Sequence, residues 1–363
     1  MRPGFPSSRS LSLAAGLALL GACAPMRPAA VPEPEMPAGS AAMQMARPDP
    51  QMQAVLDQLA ALGARPVETL TPEQARRQPS PADAVMALLQ RTGRNTAPEP
   101  VGGIQNRSIP GPAGPIPVRI YRPVGNGPFP VVVYYHGGGW VIATVDTYDA
   151  SARALANAAR AVVVSVEYRK GPENRFPAAH DDAFAAYQWV LANAAQLGGD
   201  PRRVATAGES AGGGLAVEVA MMARDRRVRL PVHVLAVYPI ADGDTESPSY
   251  TENAMAKPLS RAGMQWFFRH YPRTPADLRD RRISLVRANL RGLPPTTVVL
   301  AQIDPLRSDG QQLAAALRAA GVQTESRVWT GVTHEFFGMG AVVDKAREAV
   351  QFGAAGLRRG FGG

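Results

Sequence analysis

The sequence of 363 residues contains one cysteine, Cys23, and its only lysines are Lys170, Lys257 and Lys345. A single cysteine cannot form an intrachain disulfide, so a disulfide-stabilised fold is excluded. Arginine supplies almost all of the positive charge, and the net charge is +9. Because no basic block interleaved with aromatic residues occurs, we expect no nucleic-acid partner and interpret the charge as a solvated, arginine-biased surface.

The sequence also lacks a good membrane span near its N-terminus, where the apolar stretch of residues 11–20 is too short to cross a bilayer. This stretch follows Arg2 and Arg9 and ends in Leu-Gly-Ala-Cys, with Cys23 in last place. The pattern resembles the lipobox of bacterial lipoprotein signal peptides, in which the cysteine receives the lipid. We therefore predict a signal peptide over residues 1–22 and lipid attachment at Cys23. The alternative is an ordinary signal peptide with a chance cysteine.

Residues 23–50 are rich in proline, alanine and methionine and show no periodic apolar face. Such a composition is typical of an extended tether. Several acyl chains on Cys23 would hold the protein stably on a membrane, which we expect to be a partner. The sequence thus predicts an exported protein, lipid-anchored to the cell envelope. In a Gram-negative cell, Ala24 after the cysteine favours the periplasmic face of the outer membrane.

Helix-like and strand-like segments divide the rest of the chain, which is long enough for one large α/β domain. Residues 51–100 contain two helix-like stretches, the second opening with Thr71 as N-cap and Pro72 at the first helical position. We expect these helices to contribute to a cap over the core. Short β-branched runs alternate with helical segments farther on, and they lie at residues 131–135, 162–166, 204–207, 232–237, 297–301 and 323–329.

This alternation predicts an α/β fold with a mostly parallel, doubly wound sheet. The core is expected in two parts, residues 101–241 and 286–363. The polar, arginine-bearing segment 242–285 interrupts the pattern between two strands. We interpret it as a helical cap insertion over the carboxyl edge of the sheet.

A candidate nucleophile lies in Gly-Glu-Ser-Ala-Gly, residues 208–212, at a strand-to-helix junction. In a G-x-S-x-G turn, small flanking residues permit a strained conformation that holds the serine oxygen above the sheet. The sequence therefore indicates Ser210 as nucleophile. The N–H of Ala211, at the start of the helix, would face an oxyanion formed there.

A serine nucleophile needs a base, and in proteins with this turn the acid and then the histidine follow the serine along the chain. His334, in a loop after the last strand-like run, is the best candidate by position. Asp304 directly follows a strand and is the candidate that orients His334, whereas Asp309 fits the start of a helix. The other histidines come too early or lie in strand or cap segments: His136, His180, His233 and His270.

Five motifs, HGGGW, VEYRKGPENRFPAAHDD, GESAGGGLA, DPLRSDG and GVTHEFF, occur in order over roughly residues 100–355. Together they resemble the hormone-sensitive-lipase-like carboxylesterases of bacterial family IV, which have the α/β-hydrolase fold. The resemblance implies Ser210 as nucleophile, His334 as general base and acid, and Asp304 as its orienting carboxylate. It also implies an oxyanion hole formed by the N–H groups of Gly138, Gly139 and Ala211. His136 would hold the glycine loop, and no metal or organic cofactor is implied.

The sequence departs from the usual family motifs at Glu209, beside the nucleophile, and at Glu335, after the histidine. Neither change removes a catalytic group, so both concern substrate preference. We predict a small-molecule ester substrate with a short acyl chain, acetyl to about hexanoyl. Four aromatic residues either line its pocket or pack the cap onto the core: Trp140, Trp266, Phe267 and Phe268.

Two alternatives to esterase function follow from the same residues. A hydrolase fold can serve as an inactive interaction lipoprotein. The same three catalytic groups can also serve an amidase or peptidase. The sequence is compatible with a homo-oligomer.

Overall fold

An eight-stranded sheet forms the centre of residues 46–363, which are the residues that the computed structural model describes. The signal peptide predicted at residues 1–22 and Cys23 lie outside this range. The strands are β1 (Gly103–Gly111), β2 (Gly114–Arg122), β3 (Phe129–Tyr135), β4 (Val162–Val166), β5 (Gly199–Glu209), β6 (Val234–Val237), β7 (Thr296–Ile303) and β8 (Thr324–Thr333). Their order across the sheet is β1-β2-β4-β3-β5-β6-β7-β8.

Strands β3 to β8 are all parallel, as expected for a doubly wound sheet. Side chains alternate between the two faces of each strand. On β3, Val131 and Val133 point into one hydrophobic cluster, and Val132 and Tyr134 point into the other. Both faces are therefore apolar and covered, which explains the β-branched runs in the sequence. The predicted fold class, the α/β-hydrolase fold, is confirmed.

The hairpin of β1 and β2 escaped sequence analysis. It is antiparallel within itself and against β4. Three prolines, Pro110, Pro115 and Pro117, fall within its strands, and proline counts against a strand because it has no N–H to donate. The signal that could have identified it is the alternation of the buried residues Ile116, Val118 and Ile120 after a Gly-Pro-Ala-Gly turn.

Helices cover both faces of the sheet in the described range. They are α1 (Pro50–Ala61), α2 (Pro72–Arg77), α3 (Pro81–Arg91), α4 (Asp149–Ala159), α5 (Ala178–Asn193), α6 (Ala211–Asp225), α7 (Pro248–Glu252), α8 (Arg261–His270), α9 (Arg307–Ala319) and α10 (Asp344–Gly360). Helices α5, α6 and α9 pack on one face, and α4 and α10 pack on the other. None of the helices within residues 46–363 has the length and apolar character needed to cross a membrane.

The N-terminal helices reach two distant parts of the molecule. Helix α1 packs on α3 and touches the end of β8, where Asp49 N donates to Gly331 O at 2.8 Å. Helix α2 begins as predicted. Thr71 is its N-cap and forms a capping box, and Pro72 is the first helical residue. Helix α1 thus supports the end of β8, and the turn at Val67–Thr69, before α2, contacts α8 of the segment between β6 and β7.

The insertion of residues 242–285 contains α7 and α8, which contact different parts of the core edge. On α8, Trp266 Nε1 donates to Leu70 O at 2.9 Å and joins the insertion to the N-terminal segment. On α7, Ser249 Oγ donates to Pro305 O at 2.5 Å, and directly after α7 Asn253 Nδ2 donates to Asp304 O at 3.2 Å. The insertion therefore fixes the loop that follows β7.

Candidate active site

Ser210 occupies a strained turn between β5 and α6. Its φ of 56° and ψ of −119° lie outside the regions that non-glycine residues ordinarily adopt. The turn is held from both sides, since Ser210 N donates to Val237 O at 2.9 Å and Ile240 N donates to Ser210 O at 3.1 Å. Such strain persists only where the surroundings enforce it, and it is frequent at active sites.

Close backbone packing explains the two glycines that flank this serine. A Cβ built at Gly212 would lie 2.0 Å from the carbonyl oxygen of Tyr135. A Cβ at Gly208 would lie 2.2 Å from Gly212 O. Backbone atoms cannot move aside as a flexible side chain could, so only glycine fits at either position. The G-x-S-x-G spacing thus has a steric cause as well as a chemical one.

The glycine loop after β3 lies beside the serine turn, because Tyr135 at the end of β3 pairs with Gly208 of β5. Gly138 and Gly139 have φ values of 91° and 58°, a left-handed conformation that favours glycine. Within residues 46–363, the N–H groups of Gly138, Gly139 and Ala211 donate to no protein acceptor. These N–H groups, in a tight loop and at a helix start, can stabilise an oxyanion.

His334 is brought to Ser210 by the register of the last two strands. Ile303 pairs with Thr333, so the next residues, Asp304 and His334, leave β7 and β8 side by side. His334 Nδ1 lies 2.8 Å from Asp304 Oδ2, and its Nε2 lies 3.0 Å from Ser210 Oγ. The three residues form one hydrogen-bonded chain in the order serine, histidine, aspartate.

The electrostatics of His334 suit a base. Burial opposes a charged imidazole, but the adjacent Asp304 raises the pKa of His334 above its usual value, with help from Glu335 and Glu209. Because a carboxylate only accepts hydrogen bonds, the proton is on Nδ1, which donates to Asp304, and the Nε2 lone pair faces Ser210. Asp304 is itself fixed by Leu306 N, which donates to its Oδ1 at 2.8 Å.

Asp309 has no contact with His334. It is buried in the first turn of α9, where Ser247 Oγ donates to it at 3.5 Å, and burial raises its pKa well above the usual range. The structure thus places Asp304, and not Asp309, beside the histidine.

The remaining histidines have structural surroundings. His136 Nδ1 lies 2.8 Å from Gly137 O, and its ring stacks on Tyr168 at the base of the glycine loop. His180 Nδ1 lies 2.8 Å from the Tyr271 hydroxyl, and His233 Nε2 bonds to Thr297 in the sheet. Burial lowers the pKa of His136 to about 4 and that of His180 to about 3.

The four aromatic residues singled out from the sequence are all buried, but their contacts differ. Trp140 stacks on Tyr271 at 4.9 Å, which packs the glycine loop against the insertion. Trp266 forms the hydrogen bond to Leu70 described above and contacts Phe267 edge to face. A Cβ at Gly139 would lie 2.2 Å from the Phe267 ring, so Phe267 covers the glycine loop directly. Phe268 is buried in the same cluster.

A cluster of acids and tyrosines next to Ser210 and His334 was missed from the sequence. The carboxylate of Glu209 is 1% exposed and accepts hydrogen bonds from the hydroxyls of Tyr134, at 2.5 Å, and Tyr238. The ring of Tyr238 also packs on His334, with centroids 4.6 Å apart. Burial raises the pKa of Glu209 to about 7. The departure from the usual family motif at Glu209 was the signal in the sequence. Its tyrosine partners come from elsewhere in the chain, Tyr134 from β3 and Tyr238 from the segment after β6.

Comparison with known proteins gives a consistent picture. A family model described as the α/β hydrolase fold matches residues 132–338. The chain is 44% identical over 249 residues to carboxylesterase NlhH of Mycobacterium tuberculosis, covering 67% of this chain and 78% of that protein. It is 33% identical over 290 residues to an ethyl acetate hydrolase of Pseudomonas putida, covering 78% and 89%.

Solved structures agree with these sequence matches. A hyperthermophilic esterase from the archaeon Pyrobaculum calidifontis superposes with a TM-score of 0.78 at 37% identity, covering 87% of this chain and 99% of that one. The carboxylesterase EstE1, from a metagenomic library, gives a TM-score of 0.74 at 36% identity, covering 81% and 98%.

The buried Glu209 carboxyl predicts a pH dependence of stability. Its folded pKa of about 7 exceeds the ordinary value of 4.5, so its contribution to stability is complete below that ordinary value and is lost as the pH rises through about 7. The loss is on the order of 3 kcal/mol for a shift of this size. Glu209→Gln removes the titration while keeping an acceptor for a tyrosine.

Urea unfolding of the wild type and Glu209→Gln at pH 5 and pH 8 measures this effect. We expect the variant to gain unfolding free energy relative to the wild type at the higher pH. Glu325→Gln, an exchange of a half-exposed glutamate on β8 that pairs with Arg359, is the control and should not show this gain. An identical pH dependence in the wild type and Glu209→Gln would contradict the assignment.

Proposed function

Since the chain belongs to the α/β-hydrolase-fold family and is a carboxylic-ester hydrolase, we propose that Ser210 is the nucleophile that attacks the ester carbonyl. The observation that carries this proposal is the hydrogen-bonded chain from Ser210 Oγ through His334 to Asp304. The resemblance to hormone-sensitive-lipase-like esterases agrees with these family matches. The roles of the individual residues are our inference from geometry.

In the first half of the reaction, Ser210 Oγ transfers its proton to His334 Nε2 and bonds to the carbonyl carbon. The carbonyl electron pair moves to oxygen, and the N–H groups of Gly138, Gly139 and Ala211 stabilise this oxyanion. When the oxyanion collapses, the imidazolium of His334 gives its proton to the leaving alkoxide. An alcohol departs and the acyl group stays on Ser210.

In the second half, His334 takes a proton from water, and the resulting hydroxide adds to the acyl carbon. A second oxyanion forms at the same N–H groups, and as it collapses His334 returns the proton to the departing Ser210 Oγ, so that the acid is released and the free serine is restored. Asp304 keeps the imidazole in one tautomer and stabilises its positive charge in both halves. These steps use only water and groups of this chain, and the absence of a cofactor stays a prediction.

The packing around the serine turn favours a short acyl chain. Phe267 covers the glycine loop, and the neighbouring aromatic side chains are already packed against each other. A long chain would have to displace them, which costs about 1–3 kcal/mol in a packed region. The Pseudomonas putida relative is an ethyl acetate hydrolase, and the two-carbon acyl group of that ester supports the same preference.

We also propose that Cys23 carries a lipid that anchors the enzyme to the cell envelope, with residues 23–50 as tether. The support for this proposal is the sequence Leu-Gly-Ala-Cys after a short apolar stretch. The anchor would leave the catalytic domain free to meet ester substrates at the membrane surface.

Ser210→Ala is expected to lower kcat/KM for p-nitrophenyl butyrate by on the order of 10⁴-fold or more, because the three residues act as a unit. His334→Ala should cost about as much, and the double variant should be little worse. The conservative control is Ser326→Ala on β8, remote from the site, which should keep wild-type activity. Near-normal turnover by Ser210→Ala would overturn the proposed nucleophile. If the enzyme hydrolysed the matching p-nitroanilide as fast as the ester, this result would instead indicate an amidase.

A series of p-nitrophenyl esters from C2 to C16 tests the length of the acyl pocket. Each methylene that fits adds about 0.8 kcal/mol of binding, so kcat/KM should rise to an optimum at or below about C6 and then fall. Phe267→Ala should move the optimum to longer chains, whereas the control Phe352→Ala on α10 should not. An optimum at C12 or longer, or a rate jump above the solubility limit, would indicate a true lipase.

Cys23→Ser should abolish incorporation of an alkyne-labelled fatty acid and move the protein from the membrane fraction to the soluble fraction. The thiol is the group that is alkylated, and serine cannot replace it in this reaction. Ser40→Ala, an equally small change within the tether, serves as control and should keep both label and membrane association. Continued labelling of Cys23→Ser would refute the lipoprotein hypothesis.

A further inference from the structure

A second carboxylate lies on the catalytic edge of the histidine ring. Glu335 follows His334 in a left-handed conformation, with φ of 72°, and its Oε1 is 3.9 Å from His334 Nε2. This is the nitrogen that faces Ser210, whereas Asp304 bonds to the opposite nitrogen. Within residues 46–363, His334 is the only basic side chain that pairs with the Glu335 carboxylate.

The same carboxylate joins the histidine loop to the glycine loop. Both of its oxygens accept from the hydroxyl of Tyr148, each at 2.7 Å. That hydroxyl sits where a side chain at Gly137 would begin, since a Cβ there would lie 2.1 Å from it. A single tyrosine thus touches the loop that carries the oxyanion donors and the carboxylate beside the base.

Other titratable groups also face the histidine. Asp304 approaches from the loop after β7, Glu209 from the end of β5, and Tyr238 from the segment after β6. Tyr134 of β3 donates to Glu209 and fixes one oxygen of that carboxylate. Glu335 is the acid among them whose carboxylate lies on the Nε2 side of the ring.

We propose that Glu335 is a positioning residue for this reaction: its carboxylate stabilises the imidazolium of His334 beside Ser210 and fixes the glycine loop through Tyr148. The inference rests on the proposed function of Ser210 and His334. An imidazolium forms in both halves of the reaction, so a fixed negative charge on its Nε2 side favours both transition states. The Nε2 proton stays free for the leaving group, because 3.9 Å is too long for a hydrogen bond to Glu335.

The charge also makes His334 more basic in the free enzyme. Burial lowers the pKa of a histidine, and the acids around His334, Glu335 among them, outweigh this effect and raise it. The acid limb of the kcat/KM profile reports this pKa, since a protonated imidazole cannot accept the serine proton. Removing the Glu335 charge should therefore lower the pKa and extend activity to more acidic pH.

Glu335→Gln is the decisive variant because glutamine keeps the shape and an acceptor for Tyr148 but carries no charge. We expect the acid limb of kcat/KM for p-nitrophenyl butyrate to move down by about 1 pH unit. The kcat on the plateau should fall severalfold while KM changes little, because the lost interaction is one of the transition state. A variant that is merely distorted would lose activity at all pH values without moving the limb.

Tyr148→Phe tests the second contact while leaving the charge in place. Burial raises the pKa of Glu335, and the charge on His334 and the Tyr148 hydroxyl oppose this rise. Without the hydroxyl the Glu335 carboxyl is less readily ionised, so the acid limb should move in the same direction by a smaller amount. Glu325→Gln on β8 is the matched control for removing one negative charge from the protein and should leave the profile unchanged. Glu209 is present in all of these variants, so its own titration does not distinguish them.

An acid limb of Glu335→Gln at the wild-type pH, or a uniform loss of activity at every pH, would overturn the proposal. Thermal unfolding of each variant identifies any that fail to fold. If Glu335→Gln does not fold, Tyr148→Phe alone tests the proposal, and an acid limb of Tyr148→Phe at the wild-type pH would contradict it. Ser210→Ala in the same assay separates the two levels of inference. If Ser210→Ala is inactive and the limb of Glu335→Gln is unmoved, only the role of Glu335 fails.

Discussion

The site depends on the register of the parallel sheet. Because Tyr135 pairs with Gly208, the glycine loop and the serine turn leave the sheet next to each other. The pairing of Ile303 with Thr333 does the same for the loops that carry the acid and the base. A slip of one residue in either pair would turn every following side chain to the opposite face. The hydrophobic clusters on both faces of the sheet thus hold the catalytic geometry as well as the fold.

Two further regions hold these loops from outside the sheet. The insertion fixes the loop after β7 through Ser249 and Asn253, and it covers the glycine loop with Phe267. Helix α1 packs against the end of β8, just before the histidine loop. The loops of the proposed site are therefore held by different neighbours. The geometry of that site depends on much of the chain, so a remote substitution can affect it.

Local patterns predicted most of the fold and the main groups of the site. The β-branched runs predicted β3 to β8, because buried parallel strands are apolar along their length. The predicted ends of these strands were wrong by a few residues. Strands β1 and β2 were not predicted because they contain prolines, which ordinarily count against a strand. Motif order indicated Ser210, Asp304 and His334, which the structure brings within hydrogen-bond distance. The tyrosine partners of Glu209 and Glu335 could not be predicted, because they lie far away in sequence and meet only through tertiary packing.

The glycines around Ser210 bear on how such proteins diverge. At Gly208 and Gly212 the obstacle to a larger residue is backbone: the carbonyl of Tyr135 and the carbonyl of Gly212 itself. This obstacle would persist in a descendant that had lost its nucleophile and acquired a different role. Invariance at these two positions across a lineage would then record the geometry of the turn and not the survival of catalysis. Under the proposed mechanism, retention of catalysis would instead be recorded by Ser210 and His334, whose side chains would take part in the reaction.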